Sequence, residues 1–163
     1  MNKLSLFAIV LMTLVSLVPT SSTLAEDDAV IKVVYHADFS NPRRMSAMLT
    51  SIYNMVTTYK SDLEDFDVRI VFVSHGIRFL TKDKLDKTPF AEDKELAERR
   101  DNLMQRIASL QDVYDVKLEL CDITRQSIKL DAKKLMPKVN LVRSGVVRIA
   151  ELQRKGYAYI KVE

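Results

Sequence analysis

One cysteine (Cys121), three glycines and two histidines are all that this 163-residue chain contains of the residue types most often found in reactive sites. A lone cysteine excludes an internal disulfide, so the fold must be held by its core alone. The shortage of glycine, with no Gly-x-Gly-x-x-Gly and no Gly-Lys-Ser/Thr loop, excludes the usual backbone cradles for nucleotides, and no cofactor is expected. Charge of one sign is scarce too. Against 25 Lys and Arg stand 22 Asp and Glu, a net +3 spread along the chain, which excludes the basic field that a nucleic-acid partner requires. Beyond Ala25 no apolar run is long enough to cross a bilayer, so no membrane contact is expected of the mature part.

What is present begins with a leader. Lys3 precedes an apolar run from Leu4 to Val18, broken only by Ser5, Thr13 and Ser16; Pro19, four small polar residues and Leu24-Ala25 follow. A basic start, an apolar centre and a small residue at the cut describe a secretory signal peptide. Cleavage is expected after Ala25, leaving residues 26–163 as a single domain with Glu26-Asp27-Asp28 at its start. The run of about 15 residues falls short of the ~20 that an uncleaved anchor needs. A periplasmic or secreted location follows, and no membrane attachment after cleavage. In an oxidising compartment an unpaired thiol is buried and inert, joined to another molecule, or kept for reactivity.

The mature segment alternates strand and helix patterns. Val30 to Tyr35 is rich in β-branched residues and predicts a strand ending at His36. Ser40-Asn41-Pro42 signals a helix start. Met45, Met48, Leu49, Ile52, Met55, Val56 and Tyr59 then recur on one face of a helix of about five turns, where methionine reads as core filler rather than a thioether ligand. Val68 to Ser74 predicts a strand covered on both faces. A short helical turn over 77–80, an exposed charged loop over 81–94 and a helix over 91–111 come next. Val116 to Leu120 predicts a strand with Lys117 and Glu119 on its less buried side, ending at Cys121. Short helical pieces over 122–135, a strand over Val139 to Val142, a helix opened by Ser144-Gly145 and stopped by Gly156, and a last strand over 157–162 complete the pattern. With no hairpin link, the reading is a mainly parallel five-stranded sheet with helices on both faces.

Ligands of such sheets gather beyond the carboxyl ends of the strands. The residues placed there are His36 with Asp38, His75-Gly76, Cys121-Asp122 and Arg143-Ser144-Gly145, so both histidines and the cysteine fall on one rim. A helix start just after Cys121 favours its thiolate; Asp122 opposes this, and Arg125 or Arg143 can offset Asp122. The same cysteine also reads as a small buried hydrophobe at a strand end. Each histidine reads as a packing residue, and the metal alternative, two nitrogens and one sulfur, lacks any close ligand spacing. No metal is expected.

These strand ends resemble the DsrE/DsrF-like family of sulfur-relay proteins, in its exported stand-alone members. The resemblance rests on Val33-Val34-Tyr35-His36, Val73-Ser74-His75-Gly76, Leu120-Cys121-Asp122-Ile123-Thr124, and most specifically on the tail from Ser144 to Ile160. It implies a three-layer α/β/α fold, assembly into trimers or hexamers, and a cysteine after the third strand that takes up sulfane sulfur as a persulfide and passes it on. Cys121 occupies that position. The family's stand-alone members often have a small residue and then Asn-Thr after the cysteine, where this chain has Asp122-Ile123-Thr124. The leading expectation is therefore a sulfur carrier with a donor or acceptor protein, or a small thiol, as partner. His36, His75, Gly76, Arg143, Ser144 and Gly145 are its candidate pocket. The alternatives are a non-catalytic oligomeric binding or scaffold module with a structural cysteine and, third, a His/Cys metal-binding protein.

Overall fold

The computed structural model describes residues 30–162. The expected leader, and the first residues after its cut, lie outside the described residues. Strand β1 (Ile31–Ala37) leads into helix α1 (Pro42–Ser61). Asn41 caps that helix, its side-chain oxygen accepting from the Arg43 and Arg44 N–H groups at 2.8 and 3.0 Å, with Pro42 in the first turn. Met45, Met48, Leu49, Ile52 and Val56 are buried along one stripe, so the methionines are core. Strand β2 (Phe66–Phe72) is followed by a 3-10 turn, Ser74–Phe79, and then by helix α2 (Lys94–Tyr114). Asp93 caps α2 and Asp115, in the left-handed region at φ 53°, ends it. Strand β3 (Lys117–Cys121) runs directly into helix α3 (Asp122–Ser127). Strand β4 (Val139–Val142), helix α4 (Gly145–Arg154) and strand β5 (Ala158–Ile160) follow, with Gly156 at φ 86° turning the chain out of α4.

The five strands lie in the order β4-β3-β2-β1-β5, and every pairing is parallel. The alternation of each strand divides the core between two faces. Val33, Tyr35, Val68, Ile70, Phe72, Leu118 and Leu120 meet α1 and α2 in the main core. On the opposite face Val34 and Val71 meet Ile149 and Leu152 of α4 and Tyr157 in a much smaller apolar cluster. The chain therefore forms an α/β/α sandwich with helices on both sides of the sheet.

Two expectations are corrected. The stretch 81–93 is not a solvated loop: Thr81, Leu85 and Phe90 are buried. Arg100, itself buried, draws the stretch inward by donating to the Arg78 and Thr81 carbonyls and pairing with Glu92 at 2.8 Å. Glu119, expected on an open face, is 2% exposed. Lys-x-Glu alternation reads as a solvated side, but α4 and two arginines cover it.

Three parallel crossovers step from β1 to β4 in one direction, and the chain then reverses to place β5 on the far side of β1. The connection after β3 rejoins the main-core face, through Ile128, Leu130 and Met136, whereas the one after β4 becomes α4 on the other face. The divergence opens a crevice beyond the carboxyl ends of β3 and β4, the place where open parallel sheets bind their ligands.

Candidate functional site at the end of the third strand

Cys121 closes β3 at that crevice and is the N-cap residue of α3. Its backbone is extended (φ −60°, ψ 112°), so the side chain sits where a capping oxygen normally accepts from the first turn. The sulfur makes no close capping hydrogen bond, and the amides around it act on its charge instead. Burial pushes the thiol pKa up. The Gly145 N–H, the Thr124 N–H and hydroxyl, and the Ile123 N–H more than offset this, and the thiol lies below its ordinary value. The Thr124 hydroxyl is well placed to donate, since its oxygen already accepts from the Ser74 N–H at 3.1 Å. Ser144, the N-cap of α4, uses no side-chain cap bond, which leaves the first N–H groups of α4 for the sulfur.

Gly145 is a glycine because of this packing. A Cβ there would stand 2.4 Å from Val73 Cγ2 and 3.1 Å from Cys121 Cβ. The start of α4 is thus pressed directly onto the end of β3. Asp122, expected to oppose ionisation of the thiol, is held by Arg125 at 2.6 Å and by Gln126; the Arg125 bond keeps its own carboxyl below the usual range and neutralises its charge locally.

Of the residues expected at the rim, Arg143, Ser144 and Gly145 come together with Cys121. Arg143 is exposed and forms one wall of a concavity of about 580 Å³ with Ile123, Val142, Ser144, Val147, Arg148 and Glu151. A second concavity, of about 470 Å³, shares Ile123 and Arg143 and adds Asp122, Gln126 and Leu141. The histidines do not join the sulfur. His36 lies level with Val71 and Glu119, short of the rim, and its Nδ1 meets the Tyr159 hydroxyl at 3.0 Å. Burial lowers its pKa against the pull of Asp38, with Lys161 adding to the decrease. His75 packs edge-on against Phe90 at 5.2 Å, with Ser74 Oγ 3.3 Å from its Nδ1. Gly76 serves the fold, since a Cβ there would lie 2.1 Å from the Ala37 carbonyl oxygen. Among the described residues no group of three or more His, Cys, Asp or Glu side chains is placed to hold a metal ion, so His36, His75 and Cys121 do not form the two-nitrogen, one-sulfur site.

Sequence reasoning missed Thr124, whose side chain it had no reason to aim at the sulfur, and a buried charge network behind Cys121. Glu119 accepts from Arg148 Nε at 2.6 Å and Nη2 at 2.8 Å, and from Arg69 Nη1 at 2.8 Å. Arg69 is held in turn by Asp67 at 2.6 Å and by the Tyr157 hydroxyl at 3.0 Å, and Tyr157 donates to Asp67 at 2.7 Å. Burial alone would raise the Glu119 carboxyl, but Arg148 and Arg69 bring it below the usual range; Arg69 lowers Asp67 against burial in the same way. The signal available in the sequence was the spacing of Asp67 and Arg69 on one strand face and Glu119 on the neighbouring one.

A thiol whose pKa is depressed by folding binds fewer protons in the native state than in the unfolded one. The stability it adds is fully present above the unfolded thiol's pKa and disappears as pH falls through the folded value. The melting-temperature difference between the native protein and Cys121→Ala should therefore widen as pH rises from neutral toward 9, read by calorimetry. A constant difference across that range would mean that the amides do not stabilise the thiolate.

The sequence matches the DsrE/DsrF-like family over residues 28–162. A comparison with curated proteins found no match. Among solved structures, the protein of unknown function MTH1491 from Methanobacterium thermoautotrophicum superposes with a TM-score of 0.60 at 24% identity, covering 80% of this chain and 98% of its own. The ychN protein from E. coli gives 0.55 at 15% identity, covering 81% and 99%. At such identities the likeness is one of fold, the all-parallel sandwich described above. Since the family match extends over all of the described residues, the protein belongs to the DsrE/DsrF-like family.

Proposed function

We propose that the protein is an exported sulfur carrier that holds sulfane sulfur as a persulfide on Cys121. The supporting observation is the ring of donors, Gly145, Thr124 and Ile123, that lowers the thiol's pKa despite its burial. The Cys121 thiolate attacks the outer sulfur of a donor persulfide, R–S–SH. A new S–S bond forms on Cys121, the old one breaks, and R–S⁻ leaves. An acceptor thiolate later attacks the same outer sulfur, and Cys121 departs as the thiolate that its amides stabilise. The two exchanges consume no oxidant, and one cysteine suffices because the second thiol belongs to the partner. The concavity lined by Ile123, Arg143, Ser144 and Val147 lies beside the end of β3, with Arg143 able to face an anionic donor.

Exposed apolar residues crowd the same end of the molecule, with Val146 61%, Ile123 59%, Val147 54% and Leu141 41% exposed. They support a protein surface being applied there, whether a partner in sulfur transfer or other copies in a trimer or hexamer. The second reading, an oligomeric binding module with a structural cysteine, is favoured by one observation: Cys121 is only 5% exposed.

The two separate cleanly. Incubated with polysulfide, the mature protein should gain about 32 Da per added sulfur atom by intact mass, the mass of the atom in the persulfide product. Cys121→Ser should gain nothing. No gain in the native protein, together with thiol labelling only after unfolding, would leave the binding-module reading in possession.

A further inference from the structure

In the small apolar cluster that joins α4 to the sheet, the sheet contributes only Val34 and Val71, against Ile149 and Leu152 of the helix and Tyr157 just after it, and so few apolar contacts do little to set where the helix sits along the strands. What fixes it is charge. Arg148 lies one turn after Gly145, and its N–H donates to the Ser144 carbonyl at 2.9 Å, so its side chain and Gly145 move as one rigid turn. That side chain forks onto Glu119 through Nε and Nη2, a geometry that fixes direction as well as distance. Glu119 sits two residues before Cys121 on β3 and points to the same face. At the other end of α4, Tyr157 bonds Asp67 and Arg69, so the helix is tied down on both sides of its apolar contact.

We propose that Glu119 is a positioning residue for Cys121: by gripping Arg148 it holds the first turn of α4 against the end of β3 and keeps the Gly145 N–H directed at the sulfur. A buried ion pair adds little net stability over apolar side chains of the same shape, so its presence here points to geometry rather than to strength. The inference rests on the thiolate reading of Cys121 given above.

Its test exploits opposite signs. Glu119 carries negative charge about 7 Å along the strand from Cys121. If Glu119 acted on the sulfur only through its field, removing the charge would make the thiol more acidic and faster to react. Positioning requires the reverse. The measurement is the rate of Cys121 alkylation by iodoacetamide against pH in the mature protein, with circular dichroism to establish folding. Glu119→Gln should shift the pH profile upward and slow the reaction at pH 7 by about tenfold, the effect of losing one hydrogen bond to a charged group. The paired variant Glu119→Gln with Arg148→Met removes one charge of each sign, so its net field change is small; it should be slowed as well, and it serves if the single variant does not fold. Alkylation as fast as in the native protein, or faster, in the folded variant overturns the proposal. A native thiol that fails to react at neutral pH would instead overturn the carrier reading itself, before either variant is made.

Discussion

Gly145→Ala should slow Cys121 alkylation at pH 7 by about tenfold, the scale of one lost hydrogen bond to a charged sulfur, and destabilise the protein by about 1–3 kcal/mol, the usual range for overpacking. Alanine is the better helix former by about 1 kcal/mol, so in an open helix the change would stabilise. Contact decides the sign. The added methyl would lie 2.4 Å from Val73 Cγ2, well inside contact distance, and 3.1 Å from Cys121 Cβ. Val73 is β-branched, so its χ1 freedom to retreat is restricted. The relief available is for the first turn of α4 to lift off the strand end, and that carries the Gly145 N–H away from the sulfur. Val73→Ala in the same chain should restore part of the alkylation rate, because it removes the struck methyl. Gly156→Ala is the matched control. It has nothing within 4 Å, and its strain comes from φ 86°, so it should cost about 1 kcal/mol and leave the thiol rate alone. Equal alkylation profiles for Gly145→Ala and the native protein would show that the start of α4 plays no part in tuning Cys121.

The contrast between these glycines also shows where sequence reading reached its limit. Gly156 was legible, since a glycine that ends an apolar-periodic helix predicts a left-handed residue, and the structure has one. The order of strands and helices was legible for the same reason: β-branched runs of five to seven residues and a methionine stripe of period 3.6 depend on local chemistry alone. Cys121 at a strand end was legible too, and so was its partnership with Ser144 and Gly145 once the sheet was taken to be parallel. The need for glycine at 145 was not, because it comes from Val73, a residue distant in sequence. Glu119 misled outright. A charged residue alternating with leucines predicts a solvated face, and only the arrival of Arg148 from α4 and Arg69 from β2 turns that face into an interior. His36 and His75 were gathered at the rim by strand register alone. The register was nearly right, but His36 stands one pleat too deep, and the side chain of His75 is claimed by Phe90. Local pattern specifies elements; the site is specified by pairs of residues that meet only after folding.

Gly76→Ala should be the most damaging single methyl in the molecule, costing about 3–5 kcal/mol in a urea titration, at the upper end of what point substitutions do. The added Cβ would stand 2.1 Å from the Ala37 carbonyl oxygen, 3.1 Å from its carbon and 3.3 Å from Phe72 Cδ1. Backbone cannot rotate aside as a side chain can. Ala37 is paired in register with Phe72, and its oxygen accepts from the Val73 N–H at 2.9 Å, so β1 cannot withdraw without breaking the ladder on which β2 depends. The 3-10 turn must move instead. Ile77 and Phe79, both fully buried, then leave their places in the main core. The midpoint should fall while the slope of the titration stays constant, since the folded state still buries nearly the same surface. The effect on Cys121 should be smaller than that of Gly145→Ala. Ser74 precedes the clash and loses at most its bond to the Thr124 oxygen, while the Gly145 and Ile123 donors stay in place. A stability loss below about 1 kcal/mol, the ordinary effect of a methyl at an open site, would mean that the turn has slack where contact with β1 says it has none.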